Sequence, residues 1–161
     1  MNKRKPTIKA ATWSRDERKI RSVRHTVFVL EQAVPSDLDF DGTDPACYHV
    51  LALSDNRAVA TGRVQADGHI GRIAVLKMWR GHGIGSALVQ FLASEAKRKG
   101  LDRVYLNAQI SAVGFYEKLG FQRTGSVFME AGIKHIAMTR ESEPQVRQVS
   151  SGSALPEEPS T

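Results

Sequence analysis

The chain has 161 residues, 41% hydrophobic and 25% charged, enough for one domain with a buried core. It carries a net charge of +6 with a pI near 9.7, and its single cysteine, Cys47, excludes an internal disulfide and fits a reducing, cytoplasmic setting. No apolar run approaches the roughly 18 residues of a membrane helix, and no apolar stretch follows the basic start, Met1 to Pro6, as one would in a signal peptide. The charge is uneven. Residues 141–161 hold four acids and one base, a net of −3, which leaves +9 on the rest. A basic body suits a polyanionic ligand. The bases are scattered without aromatic interleaving, so they read as solvated side chains and not as a nucleic-acid surface.

In chain order, Ile8, Ala10 and Thr12 alternate and predict a first strand. Ser14 and Glu17 form an S-x-x-E capping box that opens a helix, with Ile20, Val23, Val27 and Phe28 on one face. The pattern breaks near Pro35. Residues 36–46, SDLDFDGTDPA, read as a polar, acidic loop; Asp37, Asp39 and Asp41 lack the spacing and closing Glu of a calcium loop, so no metal is expected. Tyr48 to Leu53 and Ala58 to Gln65 read as strands joined at Asp55-Asn56, and Asp67-Gly68 leads into a strand from His69 to Leu76. These make an antiparallel meander.

Residues 71–88, GRIAVLKMWRGHGIGSAL, then join a strand to a helix through a glycine-rich turn. The first N–H groups of a helix lack internal partners and carry partial positive charge, so an anion is favoured there. Arg80, Gly81, His82, Gly83, Ile84, Gly85 and Ser86 are therefore candidates to hold a pyrophosphate, with the Arg80 guanidinium as an added donor fork. No Gly-Lys pair exists, which removes the kinase and ATPase loop, and Ser86 stands where a dinucleotide fingerprint needs its third glycine. Ile84, Ala87, Leu88, Phe91 and Leu92 form the apolar stripe of the following helix, closed by Gly100. Val104 to Ala108 is a strand parallel to the one before the loop, Ala112 to Leu119 a short helix, and two strands near 122–127 and 134–139 finish the domain. The tail from residue 141, rich in Ser, Pro, Gln and Glu, is expected to be disordered, as is the basic segment 1–6.

The order β-α-βββ-α-β-α-ββ, with R-G-H-G-I-G at the helix that follows the three strands, resembles the GNAT superfamily of acyl-CoA N-acyltransferases. Arg80, Gly83 and Gly85 meet its [QR]-x-x-G-x-[GA] loop, and Phe115 to Phe121, FYEKLGF, is similar to its second signature. The strings VFVLEQ, IGRIAVL and FMEAGIKHIAM further resemble the YjcF/ElaA-like branch. Met78-Trp79 stand where many members carry a proline, and Gln109 where many carry Asn. The resemblance covers about residues 7–140 and implies an α/β fold with a mostly antiparallel sheet, a splayed parallel strand pair and flanking helices.

The resemblance also implies acetyl-CoA as acyl donor. Backbone groups of Ile73, Ala74 and Val75 would bond its pantetheine arm, amides of residues 80–86 its pyrophosphate, and Ala112, Phe115 and Tyr116 would line the far side. The reaction would be direct attack by a primary amine of a small molecule or protein. A lysine-type amine, with a pKa of about 10.4, costs about 4.6 kcal/mol to deprotonate at neutral pH, an α-amine near 8 only about 1.4. Tyr116 is the candidate donor to the leaving thiolate and Glu31 the first candidate for the base, ahead of His49, Glu130 and His135. His69 and His82 read as exposed or cofactor-facing. Another acyl donor, or a CoA-binding sensor without turnover, would keep the same loop. Either a monomer or a homodimer fits.

Overall fold

A computed structural model describes residues 5–142. The tail from residue 143 and residues 1–4 of the N-terminal segment, both expected to be disordered, lie outside the described residues. Strand β1 (Thr7–Ala11) leads into helix α1 (Trp13–Arg24). The cap sits two residues before the expected Ser14: the Thr12 side chain accepts from the Arg15 amide at 3.3 Å, and Asp16 Oδ2 accepts from the Thr12 amide at 3.0 Å. Thr12 and Asp16 thus satisfy orphan donors reciprocally, which leaves Ser14 and Glu17 inside the helix.

A π-helix (His25–Glu31) continues α1, ended where the Val34 amide donates back to the Phe28 carbonyl at 2.9 Å. Residues 36–46 are more ordered than a polar loop. They form helix α2 (Ser36–Asp39) and a 3-10 turn (Asp44–Ala46). Strands β2 (Tyr48–Ser54), β3 (Arg57–Val64) and β4 (Ile70–Val75) then run antiparallel in the order β1-β2-β3-β4. The β2–β3 hairpin turns at Asp55 and Asn56, both at positive φ, as the Asp-Asn pair predicts.

After a 3-10 turn (Lys77–Trp79) and the glycine loop comes helix α3 (Ile84–Arg98), then β5 (Arg103–Gln109), a 3-10 turn (Ile110–Ala112), helix α4 (Val113–Lys118), β6 (Gln122–Glu130) and β7 (Ile133–Glu141). The last three strands form a second sheet in the order β5-β7-β6. The two sheets meet through a parallel bridge of His69 with Tyr105 and a bond from the Tyr105 amide to the Gly68 carbonyl at 3.0 Å. Beyond that bridge β4 and β5 diverge.

The core explains the layering. Leu88, Val89 and Leu92 of α3 are sealed against Val50, Ala52, Ala60 and Val64 on one sheet face. Val23 and Val27 cover Ala74 on the other, and Ile20 packs with Leu51 and Ala11. Each such aliphatic side chain contributes about 1.5–3 kcal/mol by burial. No helix among the described residues is long and apolar enough to cross a membrane.

Candidate active site

Where β4 and β5 part, a cavity of about 610 Å³ opens. One wall carries Phe28 and Gln32 from the π-helix and its exit, another Arg72 and Ile73 of β4. The third comes from β5, α4 and the β6–β7 hairpin and includes Asn107, Ala112 and Tyr116.

Alternation along β4 decides which backbone groups face the opening. The Leu76 amide donates to the Val59 carbonyl of β3 at 2.9 Å. Polar groups alternate sides along a strand, so those of Ala74 also face β3, while those of Ile73 and Val75 face away. Of the three expected donor-strand residues, two thus point to the opening. The Val75 carbonyl is already engaged by Arg80 Nε at 2.8 Å.

The Arg80 side chain is not the free fork expected for phosphate. Its Nη2 reaches Glu31 Oε1 at 2.6 Å. Glu31 therefore sits on the glycine loop's arginine and does not line the cavity. What the loop offers an anion is backbone. Gly81 and Gly83 have φ of +81° and +80°, and Gly83 is the left-handed N-cap of α3 with no side-chain cap, so the first helical amides are left for a ligand. A Cβ on Gly85 would sit 3.4 Å from Phe115 Cζ, an ordinary van der Waals contact, so the start of α3 lies close against the Phe115 ring of α4. His82 and Ser86 complete the loop, His82 exposed and Ser86 half-buried.

Tyr116 packs edge-on against Phe115 and Phe121, with ring centroids 5.0 and 5.9 Å away. Burial pushes its phenol up to about 12. Its hydroxyl makes no hydrogen bond among the described residues. Among those residues the one sealed side-chain polar atom without a partner is His49 Nδ1, so the Tyr116 hydroxyl is open to the cavity it lines.

Four residues are candidates for the base from sequence, and the fold separates them. His49 is not at a strand edge: it is 2% exposed in a central strand, stacked 5.6 Å from Trp13, with Nε2 2.9 Å from the Asp44 carbonyl. Burial holds its pKa below the ordinary value. Glu31 is on Arg80. Glu130 and His135 line the cavity. His135 Nδ1 lies 2.7 Å from the Ile133 carbonyl, which can only accept, so Nδ1 carries the proton and Nε2 keeps its lone pair in the neutral ring. His69, expected to be exposed or cofactor-facing, is half-buried on the cavity wall and stacked 4.7 Å from Tyr105.

The acidic segment 36–46 gives what the sequence did not reveal. Arg24, only 1% exposed, bonds Asp39 at 3.2 Å and Asp44 at 2.7 Å. Arg63 shares Asp44 at 2.7 Å, and Arg72 holds Asp39 at 3.0 Å and Asp41 at 3.4 Å. Burial works to raise Asp44, but Arg24 and Arg63 outweigh it and hold its carboxyl below the usual range. Burial lifts Asp39 above its usual value despite Arg24 and Arg72. Arg72 stands at φ +52° where the β3–β4 register shifts, a left-handed backbone that aims it at the segment. Two of the three aspartates that superficially suggested calcium, Asp39 and Asp41, are thus spent on arginines.

This layout, a glycine-capped helix facing a split between two parallel strands, has known relatives. Residues 14–142 match the acetyltransferase (GNAT) domain family. The chain belongs to the GNAT family. It is 39% identical over 140 residues to the uncharacterized protein YyaT of Bacillus subtilis, covering 83% of this chain and 95% of that one. It is 34% identical over 123 residues to the uncharacterized N-acetyltransferase YjcF of the same organism, covering 74% and 88%. The crystal structure of Escherichia coli ElaA superposes with a TM-score of 0.76 at 30% identity, over 84% of this chain and 99% of that one. This GNAT protein therefore falls in the ElaA/YjcF branch and is an acyltransferase by family.

Proposed function

We propose that this GNAT protein transfers an acetyl group from acetyl-CoA to a primary amine, in a cytoplasmic setting. The observation that supports this reading is the Tyr116 hydroxyl, unpartnered and open, in the cavity that starts at the glycine-capped end of α3. The donor fits this chain: amides from Gly81 to Ser86 would hold the pyrophosphate, and outward-facing groups of Ile73 and Val75 the pantetheine arm. Ala112 and Phe115 would close the far side. Acetyl-CoA supplies an activated acyl carbon that forms the C–N bond as its C–S bond breaks.

The protein's part is proton management. His135 Nε2 is the site we assign to accept the ammonium proton, because the Ile133 carbonyl fixes the tautomer that leaves this nitrogen basic. Glu31 acts through Arg80 as a positioning residue. Tyr116 donates a hydrogen bond to the departing sulfur. A phenol at about 12 and a thiol near 8.5 differ by about 3.5 units, so full proton transfer would be uphill by about 5 kcal/mol. The phenol thus stabilises the thiolate and keeps its own proton.

Two measurements test the reading: thermal shift with CoA and acetyl-CoA, and thiol release with acetyl-CoA across an amine panel. Stabilisation by both and release with at least one amine are expected. Stabilisation without release or acetylation of any amine would favour a CoA sensor, and no stabilisation would remove the CoA reading.

A further inference from the structure

The charges on the cavity wall are nearly all spent. Arg63 and Arg72 line it, and both are taken: Arg63 by Asp44 at 2.7 Å and Asp41 at 3.7 Å, Arg72 by Asp39 and Asp41 and by the Leu38 carbonyl at 3.1 Å. These contacts also neutralise Asp39 and Asp41, the two carboxylates on that side. His69 is held below its ordinary value, mainly by burial, although Asp67 and Glu130 pull it the other way.

Glu130 is different. It lines the same cavity from the end of β6, is exposed, and has no ion pair among the described residues. Its one hydrogen bond among them is a long one, 3.5 Å from Asn107 Nδ2. Register shows that it belongs to the working face. Gln109 and Phe128 both pair with His135, Asn107 pairs with Ala137, and Glu130 pairs with Ile133. Paired residues share a face and every second residue repeats it, so Asn107, Gln109, His135 and Glu130 lie together, opposite the core face of Leu106, Ala108, Ile136 and Met138. Glu130 is thus the one charged side chain of the cavity wall without an ion pair among the described residues.

The amine that reacts must be neutral when it attacks, so it cannot be the lasting counter-ion of Glu130. We infer that Glu130 is a specificity-determining residue that receives a second, non-reacting cation, and that the acceptor class is a small amine carrying another positive charge. This rests on the transfer reading for which amine reacts. The charge-assisted contact itself is a binding property.

The test is equilibrium binding to the protein saturated with CoA, measured by calorimetry for 1,4-diaminobutane and 1-aminobutane. The wild type is expected to bind the diamine at least about tenfold tighter. Glu130→Gln should erase the preference and Glu130→Lys should reverse it, while Glu117→Gln, an exposed acid paired with Arg123 away from the cavity, should leave it intact. Glu130 is exposed, so its variants are expected to keep the wild-type melting temperature, checked before titration. Equal binding of both amines by the wild type, or a preference that survives Glu130→Gln, would overturn the proposal. A Glu130-dependent preference without thiol release from acetyl-CoA would sustain the anchor and sink the transfer reading alone.

Discussion

At the scale of single residues, the proposed transfer divides the proton work between two side chains. Tyr116→Phe removes a hydroxyl and no packing volume of consequence. We expect kcat to fall roughly 10- to 100-fold with little change in acetyl-CoA affinity, since the lost bond matters most as charge gathers on sulfur. Pre-steady-state acetyl transfer is the measurement, and an unchanged rate where chemistry limits turnover would end that role. His135→Gln should depend on the acceptor. The cost should be on the order of 100-fold for a lysine-type amine and only several-fold for an α-amine, which is mostly ready to attack. Tyr116 was legible because FYEKLGF is local in sequence. The Nδ1 bond that sets His135's tautomer was not, because it depends on how the β6–β7 hairpin closes.

At the scale of elements, the glycine loop works through backbone shape. Gly83 has open space where a Cβ would go, but its φ is +80°. Gly83→Ala should therefore weaken acetyl-CoA binding by about tenfold through backbone strain, not through a clash, measured as Kd by fluorescence or calorimetry. The same variant should leave the binding of free amine unchanged. The strand and helix order, the two hairpin turns and this loop could all be read from periodicity and turn residues. The cap of α1 could not: Thr12 and Ser14 are both good N-caps, and the reciprocal bond from Asp16 decides between them. Nor could the π-helix, since Val27 and Phe28 keep an apolar face under either winding.

At the scale of the whole molecule, stability should respond to pH through buried imidazoles. His49 and His69 are both shifted down, chiefly by burial, from an ordinary value of 6.5. Their folded forms stay neutral while the unfolded chain takes up protons, so stability is full above about 6.5 and falls as pH drops below it. Each group can contribute up to about 1.4 kcal/mol per pH unit in that window. Urea unfolding at pH 7.5 and 5.5 should show the loss, and His69→Gln should reduce the slope. A flat profile would contradict the shifts. The buried ion network beneath residues 36–46 was invisible in the sequence. Its pairs join residues 15 to 33 positions apart, from five different elements, and no local pattern encodes them.

That network also sets the terms on which its side of the cavity can change over generations. Asp44 answers to Arg24 and Arg63, and Asp39 to Arg24 and Arg72. Replacing one member leaves its buried partners short of a counter-charge, at a cost of up to about 3–5 kcal/mol, a large share of a typical domain's stability. Drift on this side of the cavity must therefore proceed by coordinated replacements, whereas the β5–β7–β6 face, where Glu130 stands alone, is free to vary one position at a time. New acceptor preferences in this lineage should be written on that face first.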